Sequence, residues 1–399
     1  MSRFLSWTAA GAVLGYAGVR ASEALSDLRS PAVPIQRDAP RYGRTQRALM
    51  LSGMARSLAT LATAAYAVGP LLDDDPSRPD ARAHRVASAG AAMLATSLLE
   101  LPSDYVEGFS LERRFGLSKQ SRGAWIADQA KGIGVSLAIG LPLLELLASA
   151  ASRAPRSWPA LATAGSLPLL VIANVVAPTF IAPLFNAFVP IKGAFADRVR
   201  ALAARYGAGD ATILRVDMSR QTEKANAYVT GLLGTKRIVI GDTLLDRFTP
   251  EETLFVVAHE LGHYVARDVW RSVALGTVAA GFVFFGGRAL AERSGGSVAT
   301  TAGLARLCFA MSLLGTLAGP ALATFSRSRE RAADRFAVSA TNDAPNGAAA
   351  FERLRETNMA EDEQPRWMQL LFASHPSLGS RIAFLRAASV DSSSSVPTH

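Results

Sequence analysis

The chain has 399 residues, of which 49% are hydrophobic and only 19% are charged, and its mean hydropathy is +0.19. This composition excludes an ordinary soluble protein and predicts that much of the chain contacts lipid. The net charge of +9 does not indicate nucleic-acid binding, because the basic residues are spread among loops without an aromatic-interleaved stripe or a nucleic-acid motif.

Seven apolar stretches are predicted to cross a membrane, since each approaches the roughly 20 residues needed for a hydrocarbon layer of ~30 Å. They lie at 4–20, 54–72, 86–102, 132–151, 158–180, 269–290 and 304–325. The first stretch could instead be a secretory signal peptide, but no small-x-small cleavage site follows it, which favours an uncleaved anchor. Prolines in or just after the fourth and fifth stretches predict bent or broken helices beside a cavity: Pro142, Pro168, Pro178 and Pro183.

Charge in the connections predicts the topology. Acids offset the arginines in the connection at 73–80, whereas basic residues accumulate after the first and third stretches. These basic residues are Arg20, Arg29, Arg37, Arg41, Arg44, Arg47, Arg113, Arg114, Lys119 and Arg122. The positive-inside rule then places the N-terminus outside and the C-terminus in the cytoplasm. The single cysteine, Cys308, lies in the seventh stretch, forms no intrachain disulfide, and is predicted to be a small buried hydrophobe.

The polar intervals between the crossings predict the remaining organisation. A transmembrane region at 1–189 precedes a protease module at 190–268, a transmembrane hairpin at 269–325, a C-terminal part of the protease domain at 326–388 and a disordered serine-rich tail at 389–399. Within the module we expect an amphipathic helix at 194–206, strands at 212–216 and 237–240, and a strand or loop at 226–234. A second helix is predicted to begin at Thr249, the N-cap, followed by Pro250 and two acids.

That second helix carries the motif H-E-x-x-H, whose spacing places His259 and His263 on one face, one turn apart. Two imidazoles at this spacing can bind one zinc ion. Glu260 can then accept a proton from the water that attacks a peptide carbonyl and deliver it to the leaving amine. The alternative is two partly exposed histidines beside a surface glutamate, and the apolar flanks of the motif argue against it.

A catalytic zinc site needs a third protein ligand. After His263 the chain crosses twice and returns to the same side just before Glu330, which is the predicted ligand; His375 is the competing candidate. Asp334, four residues after Glu330, is predicted to accept the other ring N–H of a ligand histidine. The alternative is that Glu330 and Asp334 pair only with arginines on a solvated helix, namely Arg327, Arg329, Arg331 and Arg335.

Taken with further segments, these residues make the chain similar to the type I CAAX prenyl proteases, which are seven-span integral-membrane zinc metallopeptidases. The matching segments follow in the same order along most of the chain: 109–121 with Asp128 and Lys131, 181–186, 226–231, 237–245, 259–263, 326–334 and 374–376. The resemblance implies a mainly α fold, a polytopic membrane helical barrel of about seven helices that encloses a water-filled chamber. A small α+β zincin-type protease domain caps the chamber.

The resemblance also implies residue roles. Glu330 becomes the third ligand of one zinc ion per chain, His375 and Arg381 help to position substrate or stabilise the oxyanion, and the segment from Asn226 lines the bound peptide. The implied substrate-contacting and catalytic residues are Asn226, Ala227, Tyr228, His375 and Arg381. The alternatives are a turn residue for Asn226, a helix cap for His375 and a solvated charge for Arg381.

The predicted function is a membrane zinc endopeptidase that acts on peptides or proteins, with or without an attached lipid, in contact with membrane lipids. The Ala- and Arg-rich, Lys-poor composition is typical of bacteria and predicts an inner-membrane location with the protease domain in the cytoplasm. Organisms without protein prenylation have no CAAX substrate, so the resemblance leaves the substrate and the oligomeric state open. The alternatives are a quality-control metalloprotease for membrane proteins, a non-catalytic scaffold, and a transporter suggested by Glu145, which is better explained as an interfacial residue.

Overall fold

The computed structural model describes residues 2–29, 37–72, 80–232, 234–294, 298 and 300–394. Its helices are α1 (Ser2–Arg29), α2 (Ala39–Thr63), α3 (Gly69–Leu72), α4 (Ala81–Asp104), α5 (Leu111–Arg114), α6 (Arg122–Arg153), α7 (Trp158–Val176), α8 (Ala194–Arg205), α9 (Asp242–Arg247), α10 (Pro250–Val265), α11 (Asp268–Arg293), α12 (Thr301–Thr341), α13 (Ala344–Asn358), α14 (Arg366–Leu371) and α15 (Leu378–Ser394). Its strands are β1 (Phe188–Pro190), β2 (Thr212–Val216), β3 (Ala227–Thr230) and β4 (Arg237–Gly241).

Six helical segments of the described residues are long and apolar enough to cross a membrane. They are Ala39–Leu72, Ala81–Arg114, Arg122–Arg153, Trp158–Leu184, Asp268–Arg293 and Thr301–Thr341. Each contains one of the predicted crossings from the second to the seventh. The first predicted crossing lies in α1, which is not among the six and packs against α2 and α4, so its crossing stays a prediction. The acid-rich connection at 73–79 lies outside the described residues.

The prolines have two different effects on the helices. Both α6 and α7 continue through Pro142 and Pro168. Pro178 and Pro183 fall in a wide π-type turn and a tighter 3₁₀ turn that follow α7. Because a proline ring removes a backbone donor and clashes with the preceding turn, the regular hydrogen-bond ladder ends there. This end of α7 leads directly into the protease module.

A cavity of 570 Å³ lies between α2, α4 and α6. Its walls carry Arg56, Glu100 and Asp104 among serine and threonine side chains, and Arg56 forms an ion pair with Glu100. Charged groups between membrane helices are costly unless they are paired or face water. The cavity therefore gives these charged side chains polar surroundings between the membrane helices.

The protease module is built on a mixed four-stranded sheet in the order β1-β2-β4-β3. β2 and β4 are parallel, whereas β1 and β3 run antiparallel to their neighbours. The predicted strands at 212–216 and 237–240, the helix at 194–206 and the strand-or-loop at 226–234 correspond to β2, β4, α8 and β3. β3 lies at the edge of the sheet, and its outer side pairs with no other described strand.

Helix α10 begins as its sequence predicts. The Thr249 hydroxyl accepts a hydrogen bond from the Glu252 backbone N–H at 3.2 Å, and the Glu252 carboxylate accepts one from Thr249 N–H at 2.8 Å. This reciprocal capping box stabilises the first turn. Phe255, Val257 and Leu261 are buried in a core shared with α8, α12, α13, α15 and the sheet. The core therefore holds α10 on one side, and its histidines lie on the side that lines a cavity.

Two predicted boundaries fall inside helices. The boundary at 326 falls inside α12, which runs unbroken from Thr301 to Thr341, so the seventh crossing and the segment with Glu330 are one helix. The disordered tail does not begin at Ser389, because α15 continues to Ser394; residues 395–399 lie outside the described part. Alanine and serine have modest helix penalties, and a helix already started from a packed turn extends through them at little cost.

The family-like segment at 109–121 forms the seam between the membrane region and the protease module. Leu117 is fully buried, and its carbonyl accepts a hydrogen bond from Glu223 N–H at 2.8 Å. Lys224 Nζ lies 3.0 Å from Glu112 Oε2. These contacts fix the chain immediately before β3, and so they position the edge strand relative to the membrane helices.

Candidate active site

Helix α10 presents the three residues of the H-E-x-x-H motif to one cavity. His259 is 5% exposed, and His263 and Glu260 are half-buried. The two imidazole rings are 5.0 Å apart between centroids and nearly perpendicular. The burial of His259 contradicts the alternative of two partly exposed surface histidines, whereas His263 keeps partial exposure toward the cavity.

Glu330 reaches the same cavity from α12 because Gly262 lets the two helices approach closely. A Cβ atom at position 262 would lie 3.0 Å from the Cα atom of Ala333, closer than side chains normally come to a backbone. Glu330 is 6% exposed, and its two oxygens lie 3.3 Å from Nε2 of His259 and 3.3 Å from Nε2 of His263. The glutamate therefore lies between the two histidines, as predicted.

The donor atoms fit a zinc ion. One ligand atom each from His259, His263 and Glu330 lie within 4.8 Å of one another. Zinc bonds of about 2.0–2.2 Å in tetrahedral geometry place ligand atoms roughly 3.3–3.5 Å apart. Each oxygen of Glu330 lies at this distance from one histidine, since 3.3 Å separates Oε2 from His259 Nε2 and Oε1 from His263 Nε2. Glu330 Oε2 is buried and makes no hydrogen bond of regular geometry with the described residues, although His259 Nε2 lies 3.3 Å and Arg381 Nη1 3.4 Å from it. His375 is outside this group of atoms; its Nε2 lies 3.4 Å from Glu330 Oε1.

The second ring nitrogen of each histidine faces a carboxylate. His259 Nδ1 lies 2.9 Å from Asp334 Oδ1, and His263 Nδ1 lies 2.9 Å from Asp268 Oδ2. A carboxylate can only accept, so each Nδ1 carries the proton and each Nε2 offers its lone pair to a metal. The contact of Asp334 is as predicted, whereas Asp268 was not singled out from the sequence.

The alternative of a solvated helix with arginine pairs is wrong. Glu330 and Asp334 are both buried. Arg327 instead donates to the Ala373 carbonyl at 2.7 Å, and Arg329 pairs with Asp268 at 2.6 Å.

Arg381 is buried rather than a solvated charge. Its guanidinium donates to both oxygens of Asp334, at 2.6 Å and 2.9 Å, and lies 4.3 Å from the ring centre of Phe351. It also reaches within 3.4 Å of Glu330 Oε2 and lines the cavity. The structure thus shows that Arg381 supports Asp334. The role of Arg381 in positioning the substrate stays a prediction.

Substitution Arg381→Met is expected to lower the free energy of unfolding by about 3–5 kcal/mol, because it leaves Asp334 buried without its charge partner. Denaturant unfolding of the full chain in one detergent would measure the change. Arg386→Met on the same helix is the matched control, since Arg386 pairs with Glu352 at 2.6 Å but is 68% exposed in its side chain. Its loss should cost at most about 1 kcal/mol, and equal effects of the two substitutions would contradict the role of Arg381.

Glu260 has the position and the environment of a general base. Its carboxylate lies 4.0 Å from His259 Nε2, outside the group of ligand atoms but within reach through one water molecule. Burial raises the pKa of the Glu260 carboxyl above its ordinary value. A raised pKa favours proton transfer in both directions near neutral pH.

The cavity around these residues has a volume of 680 Å³ and one wall formed by the edge strand. Asn226, Ala227 and Tyr228 all line it, and so does His375. The strand is held by Asn358, whose side-chain oxygen accepts from Ala225 N–H at 2.8 Å and whose amide donates to Ala225 C=O at 3.1 Å. A free strand edge beside the catalytic groups offers backbone hydrogen bonds to an extended peptide.

His375 faces the site and does not cap a helix. Its Nδ1 lies 2.8 Å from the Ser374 hydroxyl. The first turn of α15 is instead capped by Ser377, whose hydroxyl accepts from Ser380 N–H at 3.2 Å. The catalytic role of His375 stays a prediction.

Comparison with known proteins agrees with this geometry. Residues 192–389 match peptidase family M48, and residues 38–187 match the CAAX prenyl protease N-terminal region of five membrane helices. The metalloprotease YhfN of Bacillus subtilis is 28% identical over 301 residues, which cover 72% of this chain and 70% of that protein. A CAAX prenyl protease 1 homolog of Dictyostelium discoideum is 38% identical over 170 residues, 42% of this chain and 40% of that protein. The crystal structure of S. mikatae Ste24p shares the fold with a TM-score of 0.77 at 22% identity, covering 96% of this chain and 99% of that one.

The membrane helices, the buried His-His-Glu cluster and these similarities define an integral-membrane zinc metalloprotease. The chain belongs to peptidase family M48 and carries the N-terminal membrane region of the CAAX prenyl proteases.

Proposed function

We propose that the chain cuts peptides that are anchored in the membrane, with His259, His263 and Glu330 as the zinc ligands and Glu260 as general base and acid. The observation that carries this proposal is the convergence of three ligand atoms beside Glu260 and a free strand edge in one cavity. The bound zinc supplies Lewis acidity that polarises the peptide carbonyl and makes water more acidic.

Side chains and backbone groups of the chain carry out the remaining steps. The edge strand aligns the substrate backbone through residues 226–228, and the packing of α10 against α12 keeps the carboxylate of Glu260 beside the scissile bond. Glu260 takes a proton from the attacking water and passes it to the leaving nitrogen. Asp334 holds the ring of His259 in one orientation.

We further propose a peptide with a C-terminal CAAX sequence as the substrate class, because relatives that match this chain bear the name CAAX prenyl protease 1. The full-length protein in detergent would be given the same peptide with and without the prenyl group, before and after zinc removal by a chelator. Cleavage that stops with the chelator and returns with zinc supports the peptidase assignment, and faster cleavage of the prenylated peptide supports the lipid-modified class. Stoichiometric zinc without cleavage would contradict the proposed substrate class. Absence of zinc would contradict the assignment of the three zinc ligands.

We propose that the protease module lies at the cytoplasmic face of a bacterial inner membrane and extends over 190–268 and 326–388. Support comes from the basic residues after the first and third crossings. A C-terminal reporter that folds only in the cytoplasm should be active, and one that requires export should be inactive. The reverse pattern would contradict this orientation.

A further inference from the structure

Asp268 binds the side of His263 that points away from the ligand cluster. The Asp268 carboxylate is 8% exposed, and its Oδ2 accepts the Nδ1 proton of His263 at 2.9 Å. This bond leaves Nε2 of His263 unprotonated and directed at Glu330, 3.3 Å away. The contact therefore selects both the tautomer and the ring orientation that a metal ligand requires.

The other oxygen of Asp268 is held by Arg329. The Arg329 Nε donates to Oδ1 at 2.6 Å, a short charge-assisted bond, and Arg329 directly precedes Glu330 on α12. Arg271 also approaches Oδ1, but at 3.8 Å and with a side chain that is 51% exposed. Arg329 and His263 thus fix the carboxylate from its two oxygens, whereas Arg271 adds only a screened charge.

The backbone before Asp268 makes this contact possible. On a continuous helix, a residue five positions after His263 would lie about 140° around the axis and point elsewhere. Arg267 instead adopts the left-handed conformation with φ of 54°, so the chain turns sharply between α10 and α11. A non-glycine residue in this region costs roughly 1–2 kcal/mol, which the surrounding contacts must offset.

The two ligand histidines have parallel supports. His259 is held by Asp334, which Arg381 holds; His263 is held by Asp268, which Arg329 holds. The first support comes from the C-terminal part of the protease module. The second comes from Asp268, the first residue of α11, and from Arg329 on α12. Because Asp334 also lies on α12, the two supports differ in their other partner, which is Arg381 on α15 for the first and α11 of the membrane hairpin for the second.

We propose that Asp268 is the positioning residue of His263, that Arg329 fixes Asp268, and that the pair couples the zinc site to the membrane hairpin. This inference rests on the proposed ligand set.

The test measures the zinc dissociation constant of the full-length protein in detergent by competition with a chromogenic chelator. Asp268→Ala is expected to weaken zinc binding about 10- to 100-fold, the range typical of losing such a support. Arg329→Gln should weaken it in the same direction by a smaller factor. Arg271→Gln, the matched control for a neighbouring charge, should leave the dissociation constant unchanged.

Asp268→Asn separates positioning from folding. Its amide oxygen can still accept the Nδ1 proton, whereas its NH2 group cannot accept from Arg329 Nε. The unfolding temperature in excess chelator should therefore fall no further than that of Arg329→Gln, while zinc affinity should fall between those of the wild type and Asp268→Ala. His263→Ala is the reference for loss of a ligand. This inference would be contradicted if both Asp268 variants bound zinc as tightly as the wild type while His263→Ala lost zinc affinity. The proposed function would then still hold. Wild-type affinity in His263→Ala as well would overturn the ligand set.

Discussion

Substitution Glu260→Gln is expected to lower kcat by about 10²- to 10⁴-fold while the zinc content stays at that of the wild type, because general acid–base catalysis contributes this much. The glutamine keeps the size of the side chain and fills the same place beside His259, but it cannot take a proton from water. Zinc content would be measured by atomic emission and turnover with the peptide that the wild type cleaves.

The matched control is Glu251→Gln on the same helix. Glu251 lies in the first turn of α10 and pairs with Arg198 at 3.0 Å, with 43% of its side chain exposed. Its substitution should change neither zinc content nor turnover. Unchanged turnover in Glu260→Gln would remove the assignment of Glu260 as the base, and loss of zinc in that variant would indicate a ligand role instead.

Substitution Glu330→Gln is expected to remove most of the bound zinc and, with it, hydrolysis. The carboxylate supplies the negative charge between two neutral imidazoles, and its loss should weaken zinc binding by more than the roughly 10- to 100-fold of an outer support. The measurement is the zinc dissociation constant, followed by turnover with excess zinc.

A parallel His375→Gln variant decides between the two candidate ligands. Because His375 lies outside the group of ligand atoms, its substitution should retain zinc and lower only turnover. The control for loss of an acid from the same module is Glu352→Gln. Glu352 pairs with Arg386 at the surface. If Glu330→Gln kept its zinc and His375→Gln lost it, His375 rather than Glu330 would be the third zinc ligand.

The parts of the site that follow from local sequence could be predicted. Thr249, Pro250 and Glu252 define the start of α10 by themselves, and the spacing of His259 and His263 fixes their common face. Asp334 follows from the spacing of one helical turn after Glu330. The prediction of Glu330 as a ligand depended on two further observations, namely the two crossings that return the chain to one side and the resemblance to a family.

The parts that depend on a single unusual backbone angle or on tertiary packing could not be predicted. Asp268 contacts His263 only because the backbone of Arg267 is in the left-handed conformation. The sequence does not predict that conformation for an arginine. The burial of Arg381 arises from its contacts with Asp334 and Phe351, which lie far away in sequence. The change from apolar to charged residues near 326 predicts a domain boundary, but α12 runs through it unbroken, because a helix can continue across a change in polarity.

The continuity of α12 fixes the distance between its apolar stretch and Glu330. The apolar stretch of this helix ends near residue 325, so Glu330 follows it after five residues, roughly 7.5 Å of helical rise. An extended peptide spans about 3.4 Å per residue, so roughly two or three residues bridge that distance. Under the proposed function, the unbroken helix keeps this separation constant, and we expect the bond that is cut to be selected partly by its distance from the apolar part of a membrane-anchored peptide.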